Sequence, residues 1–397
     1  MRRVSTEIRK YLFENRWIFV FLLALPCLNE SFPTLYSIYH YIYDSFSVVV
    51  LMILLGLMAF KKEKISSLGI ILIVIQLWWL IATFFNYPLS DIEVYKKTVF
   101  DICRAISLAL LVELFKKDPK NLISGLLLNC ELAIYSYLFS FLAGIIETEK
   151  ITRPLLNTLI LWIITGTLLA FLHILINRRY FRGIFMILST LFITIKVHSA
   201  TSLVAMTGFY GVLLVGTVLL RWNNKMKIKA SHLVLFAVIA NLLIVFFVTK
   251  GQNIPILDRF LTTVLGRSSD FTGRDKIWLE TLRMIKEKPI IGYGYRPPIY
   301  AHNDFGDVFP HAHNQILQRL LATGVIGLLQ FVVFHVEMIR KIDLEENSIG
   351  RILMIATVFA ICLTYISEAY KKFFIFYLPF FLVYHFGKVV YYRKDRL

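Results

Sequence analysis

The chain has 397 residues, 57% of them hydrophobic and only 17% charged, with a mean hydropathy of +0.67. Soluble globular chains carry about 25% charged residues, so this composition excludes a water-soluble enzyme and makes lipid the principal solvent. The formal net charge of +17 falls in short clusters between apolar runs, which points to membrane orientation and away from a nucleic-acid groove.

A helix needs about 20 apolar residues to cross a bilayer. By that measure spans are expected near 16–33, 38–60, 66–86, 97–115, 121–146, 154–176, 181–198, 201–221, 231–249, 314–339, 351–367 and 373–391. The first follows a basic N-terminus, as a signal peptide would. Pro26-Cys27-Leu28-Asn29-Glu30 offers no small-residue cleavage site, so a retained span is expected. The expected fold class is an all-α integral membrane protein of about 12 transmembrane helices, one polytopic domain over residues 1–397. Cysteines 27, 103, 130 and 362 sit in apolar or amphipathic runs without a CxxC pair, which implies neither a disulfide framework nor a thiolate metal site.

The connections alternate in charge. Basic clusters occur at Arg2 to Arg16, Lys61-Lys62-Glu63-Lys64, Lys116-Lys117-Asp118-Pro119-Lys120, Arg178-Arg179, Arg221 to Lys229, Arg340-Lys341 and Arg393-Lys394. Lys and Arg are retained on the cytoplasmic side, so both termini are expected there and residues 250–312 outside. Within the spans, Asp101 and Arg104 are three apart on one helical face. They are expected to neutralise one another or to face a polar cavity, which Glu131 of the next span would share.

Residues 250–312 hold nine Lys/Arg and seven Asp/Glu, and a connection this long inside a compact fold is usually functional. From Thr272 or Gly273 the spacing of Ile277, Trp278, Leu282 and Ile285 predicts an amphipathic helix that Lys288-Pro289 ends. Its N-terminus, with Arg274, favours anions and phosphate above all. Gly292-Tyr293-Gly294 allows a tight turn but lacks the context of a dinucleotide fingerprint. Phe309-Pro310-His311-Ala312-His313-Asn314 then leads into a span in which Gly324 and Gly327 fall on nearly one face, suited to close packing against a neighbouring helix. His311 and His313, with His302 upstream, invite a zinc reading, yet no cysteine or carboxylate stands at ligand spacing and no metal or other cofactor is expected. His313 reads either as an interfacial or capping histidine or as a general base.

These residues resemble the O-antigen ligase and Wzy-type polymerase superfamily. The resemblance rests on Gly273-Arg274 with Trp278, on Pro289-Ile290-Ile291-Gly292-Tyr293-Gly294, and on His313-Asn314 followed by nine residues and Gly324-Val325-Ile326-Gly327. It implies a GT-C-like bundle and a metal-independent glycosyltransferase in the bacterial plasma membrane. Such an enzyme moves a glycan from undecaprenyl diphosphate to an acceptor at the outer face. By implication His313 activates the acceptor hydroxyl and Arg274 binds the lipid diphosphate. Lys276, Arg267, Arg296, His311, Asn314, Lys196 and His198 are further substrate-binding candidates. Many members carry a Ser-Arg pair at the outer end of a mid-chain span, whereas here Lys196-Val197-His198-Ser199-Ala200-Thr201-Ser202 puts Ala200 where the arginine is expected.

The implied partners are the lipid-linked glycan donor, a glycan or lipid A-core acceptor, the bilayer, and flippase and chain-length regulator proteins. The expected function is polymerisation of repeat units into a surface polysaccharide. The alternative within the superfamily is ligation of the glycan from undecaprenyl diphosphate to lipid A-core or another acceptor. A polysaccharide transporter would also have about twelve spans, but would place its essential groups at the bilayer midplane and betray internal repeats.

Overall fold

The computed structural model describes residues 15–28, 36–144, 153–197, 199–223, 227–250, 274–295, 299–300, 308–309, 311–370 and 374–387. Helices run over α1 (Arg16–Leu28), α2 (Tyr36–Lys61), α3 (Ser67–Phe84), α4 (Ile92–Phe115), α5 (Pro119–Leu142), α6 (Arg153–Asn177), α7 (Tyr180–Lys196), α8 (Ala200–Trp222) and α9 (Ala230–Thr249). The loop helix α10 (Arg274–Glu287) follows, and then α11 (Gln315–Leu344), α12 (Ile349–Thr364), a 3-10 turn (Phe374–Phe376) and α13 (Leu378–Phe386). Strands β1 (Ile299–Tyr300) and β2 (Val308–Phe309) pair antiparallel, Ile299 opposite Phe309. Every apolar stretch expected to span contains a helix, and seven helices are long and apolar enough to cross a membrane by length and composition. The chain is thus an all-α, multi-pass membrane protein.

The bundle is apolar inside and outside, as lipid solvation permits. α12 is buried almost throughout and packs against α8 and α9. α9 turns Leu235, Phe236, Ile239, Leu242, Leu243 and Phe246 outward. Three helix starts are capped by serine. Ser66, Ser199 and Ser348 accept from the backbone N–H of Gly69, Ser202 and Arg351, so these orphan donors are satisfied.

The basic connections meet at one end of the bundle. Lys117 pairs with Glu63 at 2.6 Å, Arg16 with Asp118 at 3.8 Å, and Asn177 donates to Ser124 at 2.8 Å. Asp343 accepts from the Ala230 N–H at 2.7 Å and pairs with the buried Arg351 at 3.3 Å. α3 and α11 connect this end to the other: Ser67, at the start of α3, bonds Glu337 of α11, while Asn86, just past the end of α3, donates to the Gly292 carbonyl at 2.9 Å. The loop helix therefore lies at the end opposite the basic connections.

Two expectations about intramembrane charge are corrected. Arg104 forms its ion pair with Asp44 of α2. Glu131 closes on Arg182 of α7 through two bonds of 2.6 Å, so Arg104 and Glu131 are neutralised by different helices. A third correction concerns Gly324. It breaks α11 with φ 63° and ψ −167°, so Gly324 and Gly327 do not form a continuous small face.

Candidate functional site

α10 forms because its apolar positions repeat at helical spacing. Ile277, Trp278, Thr281 and Met284 are buried, and Leu282 and Ile285 pack beside them. This stripe sits on Leu317 and Leu321 of α11, on Val245 of α9 and on Ile299 of β1. Trp278 is fully buried and donates its indole N–H to the Ala312 carbonyl at 2.9 Å. The Ala312 N–H in turn donates to the Gln318 side chain at 2.9 Å. Both backbone groups of Ala312 are thereby held, which fixes the turn that carries His311 and His313.

Next to it the loop is stitched into the broken helix. The N–H groups of Tyr293 and Gly294 donate to the carbonyls of Leu321 and Ala322 at 2.9 and 2.8 Å, and that of Val325 donates to Pro289 at 2.8 Å. Trp78 of α3 donates to the Thr323 carbonyl at 2.9 Å. A break in a membrane helix frees backbone groups that must find partners, and the segment from Pro289 to Gly294 supplies them. Close approach dictates glycine: a Cβ on Gly292 would meet the Gly324 nitrogen at 2.6 Å, and one on Gly324 the Ile290 oxygen at 2.0 Å.

His313 adopts φ 48°, a left-handed conformation uncommon for a residue with a side chain. Its backbone N–H donates to His311 Nδ1 at 3.2 Å, and the two rings lie 4.0 Å apart. His313 Nδ1 is buried without a hydrogen-bond partner among the described residues. Burial first, then His311 and the Arg274 charge, push the imidazole from 6.5 down to about 2, so it is neutral at physiological pH.

Asn314 is fully buried and caps α11, accepting from the N–H groups of Ile316 and Leu317 at 3.0 and 3.1 Å. Its amide donates to Asn241 of α9 at 2.9 Å and to the Ile366 carbonyl at 3.3 Å. The cap thus ties the start of α11 to the turn after α12. On that turn Glu368, 3% exposed, stands 3.6 Å from Arg274 Nη2. The guanidinium at the start of α10, the imidazole of His313 and this buried carboxylate accordingly share one site.

Of the other sequence candidates, His311 is half-buried beside His313 and Lys276 is exposed on α10. Lys196 is exposed at the end of α7, its ammonium 5.8 Å from the Phe192 ring. The next helix nonetheless begins beside the site, since Thr201 bonds Ser367 at 2.6 Å. Arg267, Arg296, His198 and His302 lie outside the described residues. Among the described residues no group of three or more His, Cys, Asp or Glu could hold a metal ion. Sequence reasoning missed Glu368. The signal was there, because an acidic residue between two long apolar runs is expensive unless it has a role.

Fold and site together define a polytopic membrane protein with a charged loop helix docked over the start of a broken span. Residues 155–332 match a family model described as O-Antigen ligase, a stretch from α6 past the break in α11. A curated relative, the O-antigen ligase of Pseudomonas aeruginosa, is 39% identical over 62 residues, which are 16% of this chain and 16% of that protein. The match thus spans about a sixth of the relative's length. Both findings make the chain similar to O-antigen ligases over part of its length.

Proposed function

We propose that the chain is a membrane glycosyltransferase that polymerises undecaprenyl-diphosphate-linked repeat units into a surface polysaccharide. The observation that carries this reading is the buried imidazole of His313, with Nδ1 unpartnered, in the field of the Arg274 guanidinium. The acceptor hydroxyl gives its proton to His313 as its oxygen bonds the anomeric carbon. The bond from that carbon to the diphosphate oxygen breaks, and the lipid diphosphate leaves with the electron pair, its charge held by Arg274. In the free enzyme Arg274 rests on Glu368 and also suppresses the basicity of His313. A diphosphate bound at Arg274 cancels that positive charge, so the base strengthens once the donor is in place. No residue at the site is assigned to hold a metal.

The basic connections gather at the end opposite the site, which supports a site on the outer face of the plasma membrane with the termini inside. A second reading, ligation to lipid A-core, is favoured by the matched relative, which is an O-antigen ligase. The two differ only in the acceptor. The test is to incubate purified protein with a lipid-linked repeat unit in EDTA and follow glycan length for wild type, His313→Ala and Arg274→Ala. A ladder in wild type that both variants lose is the expected result. Donor consumption only when lipid A-core is added replaces polymerase by ligase, and variants as active as wild type overturn the site.

A further inference from the structure

One buried cation takes no part in this chemistry. Arg319 lies four residues into α11 and is 4% exposed. A guanidinium has five N–H donors, yet among the described residues Arg319 makes one hydrogen bond, from Nη2 to the Tyr377 hydroxyl at 2.7 Å, and its Nε has no partner there. Among the described residues no carboxylate pairs with it; its charge faces the rings of Trp79 and Phe331, 5.6 and 4.8 Å away.

The groups around it are donors too. Trp79, 5% exposed, leaves its indole N–H unpartnered among the described residues. The Tyr377 oxygen already accepts from Arg319 and, at 3.2 Å, from Gln76, so its own proton is free to point elsewhere. Buried polar groups are normally satisfied, and an uncompensated buried cation is costly unless it is paired. Aromatic faces attract the charge but accept none of these N–H bonds in the ring plane. A set made of a guanidinium, an indole N–H and a phenol O–H lacks only an acceptor carrying negative charge.

We propose that Arg319, Trp79 and Tyr377 form an anion subsite that takes a phosphate oxygen of a membrane lipid. Arg319 is about 6 Å along the helix axis from the first residue of α11, on the side of the bundle that carries the candidate site, where lipid phosphates are the anions at hand. The phosphate belongs either to the lipid diphosphate donor, in which case the inference rests on the proposed function, or to a bilayer phospholipid.

The test is native mass spectrometry of the purified full chain titrated with undecaprenyl diphosphate, phosphatidylglycerol and, as the uncharged control, undecaprenol. Arg319→Met keeps the volume and removes the charge; Trp79→Phe keeps an aromatic ring and removes the N–H donor. Arg319→Met is expected to weaken binding of a phosphate-bearing lipid by about tenfold or more, the scale of one charge-assisted contact. Trp79→Phe should weaken it less, Arg319→Lys should retain most of it, and undecaprenol binding should not change. Loss for undecaprenyl diphosphate assigns the subsite to the donor, and loss confined to phosphatidylglycerol assigns it to bilayer lipid. Unchanged affinity for both phosphate lipids in Arg319→Met and Trp79→Phe overturns the proposal. The readout is binding, so a wild type that builds no glycan ladder sinks the proposed function and leaves this site standing.

Discussion

Trp278 of the loop helix holds the carbonyl of Ala312 at 2.9 Å, and through that one bond an amphipathic helix sets the height of the histidine turn above the bundle. Trp278→Phe keeps an aromatic ring in the stripe but leaves the buried carbonyl without its donor, which alone costs about 1–3 kcal/mol. The expected result is a modest fall in unfolding temperature and a loss of glycan transfer of about tenfold or more, because a small misplacement of a reacting group is costly. Transfer that falls only in proportion to the folded fraction contradicts this positioning role.

Gly324→Ala is expected to prevent stable folding. The backbone at φ 63° and ψ −167° is open essentially only to glycine, and the new Cβ would lie 2.0 Å from the Ile290 oxygen. The penalty is about 3 kcal/mol or more. Gly211→Ala is the control, since a Cβ there meets nothing within 4 Å and alanine favours a helix by about 0.5–1 kcal/mol. Size-exclusion profiles after heating should separate the two substitutions.

His313 makes the protein acid-sensitive. Its folded value of about 2 lies below the ordinary 6.5. Above pH 6.5 both folded and unfolded chains hold it neutral. As pH falls below that, the unfolded chain binds a proton that the folded chain does not. Stability therefore declines toward acid by at most about 1.4 kcal/mol per pH unit until pH nears 2. Between about pH 7 and 5 the unfolding temperature of wild type should fall more steeply than that of His313→Gln. Parallel curves would remove His313 from the set of buried neutral groups.

Glu368→Gln tests the resting partner of Arg274. The carboxylate at 3.6 Å competes with the donor phosphates for the same guanidinium. Replacing it by a neutral amide should lower the KM for donor by several-fold, about the scale of one weak ion pair, and lower kcat as Arg274 loses its anchor. A raised KM would mean that Glu368 serves substrate binding directly.

Much of this was readable in the sequence, because lipid leaves a local record. Each apolar stretch of sufficient length became a helix, and the stripe of α10 from Ile277 onward packed as its spacing required. The pairings were not readable. Asp101 and Arg104 share a helical face, yet among the described residues Arg104 pairs with Asp44, 60 residues earlier. Glu131 and Arg182 are 51 apart. Helical periodicity states which face a residue occupies and not which helix it meets. The glycines at 324 and 327 misled for a related reason. Their spacing fits both close helix packing and a break, and only the backbone partners from Pro289 to Gly294 decide between them.

The stitching of Pro289 to Gly294 onto the break in α11 also limits how this protein can be rebuilt. An exchange of the loop alone, to graft a relative's specificity, would leave the Leu321, Ala322 and Val325 backbone groups facing a segment not cut to fit them. Residues 274–295 and 311–327 are one unit of inheritance, and a working chimera has to carry both.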